Sequence, residues 1–148
     1  MTPELAESPV AAMRVEALDH VNLRTPDVTG TARFYADALG LVITPSPGDP
    51  DPERALWICD DDGRAIVHLA RPDIAYPWEA EGGVPAAPPG TGRLHHVALR
   101  CTGYDAMRDR LETLGIAAYA NDIPQVSLRQ LFITDPNGVM LELNFFGA

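Results

Sequence analysis

Apolar and polar residues alternate with a period of two in "DHVNLR" (Asp19–Arg24) and again in "HHVALR" (His95–Arg100). That period predicts a half-buried strand at each place. A helical spacing follows each of them. Phe34, Ala38 and Leu41 fall near i, i+4 and i+7 along "VTGTARFYADALG", and Met107, Leu111 and Leu114 do so along "DAMRDRLETLG". Gly40 and Gly115 close the two segments, as glycine does at a helix C-terminus. Short apolar runs then predict three strands per half. In the first half they are Leu41–Thr44, Ala55–Cys59 and Ala65–Ala70; in the second, Ala117–Asn121, Arg129–Thr134 and Val139–Phe146. "DDDG" and "DPNG" are the turns between the last two strands of each half.

The two halves repeat one another. His20 corresponds to His96, 76 residues on; "ALGL" to "TLGI" and Gly63 to Gly138, 75 on; "IVHL" to "MLEL", 74 on. The predicted fold is therefore α+β, a β-α-β-β-β module used twice. Module 1 is expected over residues 16–70 and module 2 over 94–146 of a single domain, with residues 1–15 as a tail. Proline and glycine crowd "RPDIAYPWEAEGGVPAAPPGTGR", residues 71–93, which is read as a connector. Tyr76 and Trp78 suggest that it packs on the domain, as a lid over a cleft.

Alternation also assigns faces. Val21, Leu23, Val67, Leu69, Leu141, Leu143 and Phe145 form the larger apolar set and are expected to face the helices. His20, His68, His96 and Glu142 fall on the opposite face, with Asn22, Arg100 and Asn144; His95 is expected on the helix side. If the modules join into one curved sheet, the three histidines and the glutamate look into a common concavity. Neutral imidazoles and a carboxylate converging there suit a divalent metal. Two histidines and one carboxylate leave adjacent positions open for a bidentate substrate. His68 is then either a fourth ligand or a base beside the metal.

Composition narrows the partners. The chain has 148 residues and a net charge of −10, from 11 basic and 21 acidic side chains. That balance speaks against a nucleic-acid groove or an anionic membrane as partner. "MTPELAESPVAAMR" has neither the charge nor the apolar run of a signal peptide, and Cys59 and Cys101 show no CxxC spacing. Two reduced thiols in a cytoplasmic protein are expected. The acidic cluster Asp60–Asp62 reads as a solvated turn rather than a second metal site.

Over residues 16–146 the chain resembles the vicinal oxygen chelate superfamily, which includes glyoxalase I, methylmalonyl-CoA epimerase, fosfomycin-resistance thiol transferases, extradiol dioxygenases and bleomycin-resistance proteins. The resemblance rests on "LDHVNLRTPD", "FYADALGL", "LHHVALR", "YDAMRDRLETLGI" and "FITDPNGVMLELNFF". It implies paired β-α-β-β-β modules forming a half-open barrel around a metal, with ligand positions on the first and last strands of each module. Those positions hold His20, His68, His96 and Glu142. The implied cofactor is a divalent metal, Fe(II) first, with Mn, Zn, Ni or Co as alternatives. The implied partners are a small-molecule substrate and a second copy of the chain in a homodimer, in some members with modules exchanged.

Three activities are compatible with the resemblance. An extradiol dioxygenase would hold Fe(II) with His20, His96 and Glu142 and use His68 as acid/base. That family also has a tyrosine on the strand before the final turn, where this chain has Phe132, and a further histidine upstream, where Ile123 lies. A glyoxalase- or epimerase-type enzyme would use the metal as a Lewis acid, and usually carries Glu or Gln at the position of His68. A non-catalytic drug-binding resistance protein would need no metal.

Overall fold

The computed structural model describes residues 13, 16–74, 90 and 94–147. The expected tail, apart from Met13, and the connector from 75 to 93, apart from Gly90, lie outside the described residues. So do Tyr76, Trp78 and the lid they suggest.

Module 1 runs β1 (Val21–Arg24), α1 (Val28–Leu39), β2 (Val42–Pro45), β3 (Ala55–Cys59), β4 (Ala65–Ala70). Module 2 repeats the order with β5 (Val97–Cys101), α2 (Tyr104–Thr113), β6 (Tyr119–Ile123), β7 (Leu128–Thr134), β8 (Met140–Phe146). The Asp27 carboxylate accepts from the Gly30 amide and starts α1. Gly40 ends it with φ 71°, the left-handed conformation that costs a glycine nothing, and its N–H returns to Ala36 O. Each module folds into its own four-stranded sheet, ordered β1-β4-β3-β2 and β5-β8-β7-β6. The first strand pairs parallel with the last, and the other pairs are antiparallel. The α+β fold built from two β-α-β-β-β modules is thus as expected. No hydrogen-bonded strand pairing joins one sheet to the other among the described residues.

One apolar core serves both modules. Of the expected helix-facing residues, Val67, Leu69, Leu141, Leu143 and Phe145 are buried and join Ala32, Tyr35, Ile58, Leu111 and Leu131 in a single cluster, while Val21 and Leu23 are partly buried against it. Each fully buried leucine contributes roughly 2 kcal/mol through area removed from water. Leu114, expected on the core face of α2, is 45% exposed, because α2 ends at Thr113 and Leu114 is already its cap.

A buried polar lock joins the modules. The Tyr35 hydroxyl on α1 donates to Asp135 Oδ2 at 2.9 Å, across 100 residues of sequence. Asp135 Oδ1 accepts the amides of Asn137 and Val139 inside the "DPNG" turn. Asn137 in turn bonds Thr25 Oγ1 and Thr31 Oγ1 at the start of α1. Burial, reinforced by the neighbouring Asp135 carboxylate, raises the Tyr35 pKa, so the phenol stays a donor. Among the described residues no helix is long and apolar enough to cross a membrane.

Candidate functional site

The parallel pairing of first and last strands brings the candidate side chains together two by two. In module 1 the register sets Asn22 opposite His68; in module 2 it sets Ala98 opposite Glu142. His20 and His96 each stand two residues before that partner, at the entry of β1 and β5. The repeat seen in the sequence is therefore also a repeat of site geometry.

In module 1, His20 and His68 lie face to face, ring centroids 3.7 Å apart and planes 11° from parallel. The other face of His68 is covered by Trp57, at 4.3 Å and 12°. Trp57 is the cross-strand partner of His68 on β3, so the stack follows from register. Burial, and then the charge of His20, lower the His68 pKa, which favours a neutral imidazole. His20 Nδ1 is 2.6 Å from Asp19 Oδ2. A donor hydrogen on Nδ1 leaves the Nε2 lone pair exposed, an orientation metal-binding histidines adopt when a carboxylate holds the other nitrogen. That hydrogen bond also lowers the Asp19 pKa.

In module 2, His96 Nε2 is 3.5 Å from Glu142 Oε1. Donor atoms about 2.1 Å from one ion stand roughly 3.0–3.4 Å apart, depending on coordination geometry, so this pair stands just beyond the edge of a metal polyhedron and close enough to share one ion after a small approach. His96 Nδ1 is 2.9 Å from His95 Nδ1, and the His95 ring meets His96 edge-on. His95 is exposed rather than packed on the helix side. Strand β5 begins only at Val97, so the alternation that assigned His95 a face does not reach it.

The two pairs do not meet within the chain: among the described residues no group of three or more His, Cys, Asp or Glu side chains is arranged to hold one ion. Among the described residues no strand pairing joins the two sheets into the expected single curved sheet, and the modules meet through α1, α2 and the polar lock. Each pair instead lies on the sheet face turned away from the helices, beside an edge strand.

Other candidates separate clearly. The Arg100 guanidinium sits 4.3 Å over the Phe146 ring. Arg129 turns away from the site, stacking 3.5 Å over Tyr104 and pairing with Asp122. Asp60 and Asp62 bind Arg64 and turn amides, as a solvated hairpin should. Cys59 and Cys101 are free thiols. Sequence reasoning missed Asp19, Trp57 and the role of His95; only the position of Asp19, immediately before His20, was a usable signal.

A profile of the Glyoxalase/Bleomycin resistance protein/Dioxygenase superfamily matches residues 17–143. Solved structures are similar throughout. A glyoxalase/dioxygenase from Nostoc punctiforme is 19% identical with a TM-score of 0.68, covering 97% of this chain and 100% of that one. A lactoylglutathione lyase from Agrobacterium tumefaciens is 20% identical with a TM-score of 0.64, over 89% and 95%. A genomically encoded fosfomycin resistance protein from Listeria monocytogenes is 14% identical with a TM-score of 0.61, over 90% and 96%. At these identities the likeness speaks for the fold alone. No curated protein sequence matches the chain.

Proposed function

The chain belongs to the glyoxalase/bleomycin resistance/dioxygenase superfamily, and from that premise we propose that it is a metal-dependent enzyme acting on a small substrate with two adjacent oxygen atoms. His20 from one copy and His96 with Glu142 from a second copy hold the metal, and His68 works beside it as acid/base.

The observation that carries this reading is the His20–His68 stack. An imidazole binds a metal through a lone pair in its own ring plane. Two planes 11° from parallel with centroids 3.7 Å apart share no point that lies in both ring planes about 2.1 Å from a nitrogen of each ring. One of the two is the ligand and the other stands beside it. Asp19 orients His20 for ligation, whereas His68 is capped by Trp57 and kept neutral by burial. The remaining set is two histidines and one carboxylate, the donor set of non-haem Fe(II) oxygenases. A divalent ion held by these residues would supply Lewis acidity to a substrate that carries two adjacent oxygens. His68 takes the proton that the substrate hydroxyl releases as it binds, and returns it to the product.

The sheet edges point to a second copy. Strands β1 and β5 are each paired on one side only among the described residues. Each is preceded by an exposed leucine, Leu18 at 82% and Leu94 at 71%, which are repeat partners. An exposed apolar side chain at the edge of a sheet favours association. Apposing module 1 of one copy with module 2 of the other would unite the two half-sites, and two-fold symmetry would make two such sites.

One observation favours a second chemistry on the same residues. Phe132 is the register partner of Glu142, so the position opposite the carboxylate offers no phenol hydroxyl. A glyoxalase- or epimerase-type proton transfer by His68 needs none. Oxygen uptake on adding a catechol to anaerobically purified, Fe(II)-loaded protein tests the dioxygenase reading. Stoichiometric metal without oxygen uptake would favour the isomerase, and absence of metal binding would overturn both.

A further inference from the structure

Three amides on module 2 form an unbroken line that ends on Glu142. Asn121 Nδ2 donates to Gln130 Oε1 at 2.8 Å, Gln130 Nε2 to Asn144 Oδ1 at 3.0 Å, and Asn144 Nδ2 to Glu142 Oε2 at 2.8 Å. Strand register makes the line possible, setting Asn121 opposite Gln130 and Gln130 opposite Asn144. Gln130 is only 7% exposed, so its amide depends on these partners in place of water.

The carboxylate sets the direction of the line. Ionised Glu142 can only accept, so Asn144 must turn its NH₂ toward it. Asn144 Oδ1 then faces Gln130, which must turn its own NH₂ toward Asn144, leaving Gln130 Oε1 for Asn121. With Oε2 thus occupied, Oε1 is the oxygen left on the His96 side. Module 1 has no counterpart: the residue 74 before Asn144 is Ala70, and the one 74 before Glu142 is His68. The line therefore serves the carboxylate and is not a general feature of the fold.

We propose that Asn144, held by Gln130 and Asn121, is a positioning residue that fixes Glu142 as a one-oxygen donor aimed with His96 at the metal. The inference rests on Glu142 being a metal ligand. A hydrogen bond behind a ligating carboxylate orients it and typically governs metal affinity by about 10- to 100-fold.

The test is titration of metal-free protein with Co(II), following its visible absorption, alongside the thermal midpoint. Asn144→Leu keeps side-chain size and removes the donor. Gln130→Glu keeps an acceptor for Asn121 but competes with Glu142 for the Asn144 amide. Charge alone would make Gln130→Glu bind a cation more tightly, whereas loss of positioning makes it bind more weakly. Both variants should bind Co(II) about 10- to 100-fold more weakly, and both should still melt cooperatively, at midpoints lowered by the polar partners that each substitution strands beside the buried Gln130 position. Wild-type affinity in a folded Asn144→Leu protein, while His96→Ala binds none, would overturn the inference and leave the metal reading standing. No Co(II) binding by wild type would overturn that reading and this inference with it.

Discussion

His68 lies flat against His20 with ring centroids 3.7 Å apart, while Trp57 covers its opposite face. On the proposed function this contact would divide two otherwise equivalent imidazoles into a ligand and a neighbour, since near-parallel rings at that spacing do not bind the same ion.

His68→Ala should accordingly keep its metal and lose turnover. Loss of a positioned acid/base costs about 10²–10⁴ in kcat. His20→Ala should lose metal and activity together. Metal content beside steady-state rates separates the two, and loss of metal from His68→Ala would restore His68 to the ligand set.

Acidification should destabilise the metal-free protein through His68. Its pKa is lowered on folding from an ordinary 6.5, so the unfolded chain binds its proton first as pH falls. The full contribution is present above the unfolded value and is lost as pH drops below it toward the folded one. Thermal midpoints between pH 8 and 5 should fall less steeply for His68→Gln than for wild type. Parallel curves would remove His68 from the linkage.

Tyr35→Phe should weaken the lock between modules. The substitution leaves Asp135 Oδ2 buried without its donor, and a buried polar atom so stranded costs about 1–3 kcal/mol. Urea unfolding should show a lower midpoint with an unchanged slope. A midpoint equal to wild type would mean that water replaces the phenol.

The legible parts of this molecule were those decided by local pattern. Strands β3 and β4 begin and end where the apolar runs do, and the buried set on β8 follows strict alternation, as do Val67 and Leu69 about His68 on β4. His20 and His96 were identified by the repeat, which survives folding as equivalent register. The parts that were not legible depend on contacts between distant elements. Trp57 meets His68 only because β3 and β4 pair in one register. Tyr35 and Asp135 are 100 residues apart. Whether four inward residues share one concavity is decided by how the modules pack, and among the described residues no strand pairing joins the two sheets.

If the site is divided between two copies, mixing two proteins that are defective in different halves restores it. His20→Ala breaks the module 1 half-site and Glu142→Ala the module 2 half-site, so each variant alone should hold no metal. After random exchange of subunits, half the dimers are mixed and each has one intact site of two, so the mixture should regain about one quarter of the wild-type metal. A mixture that regains none, while wild type loads stoichiometrically, would contradict that division.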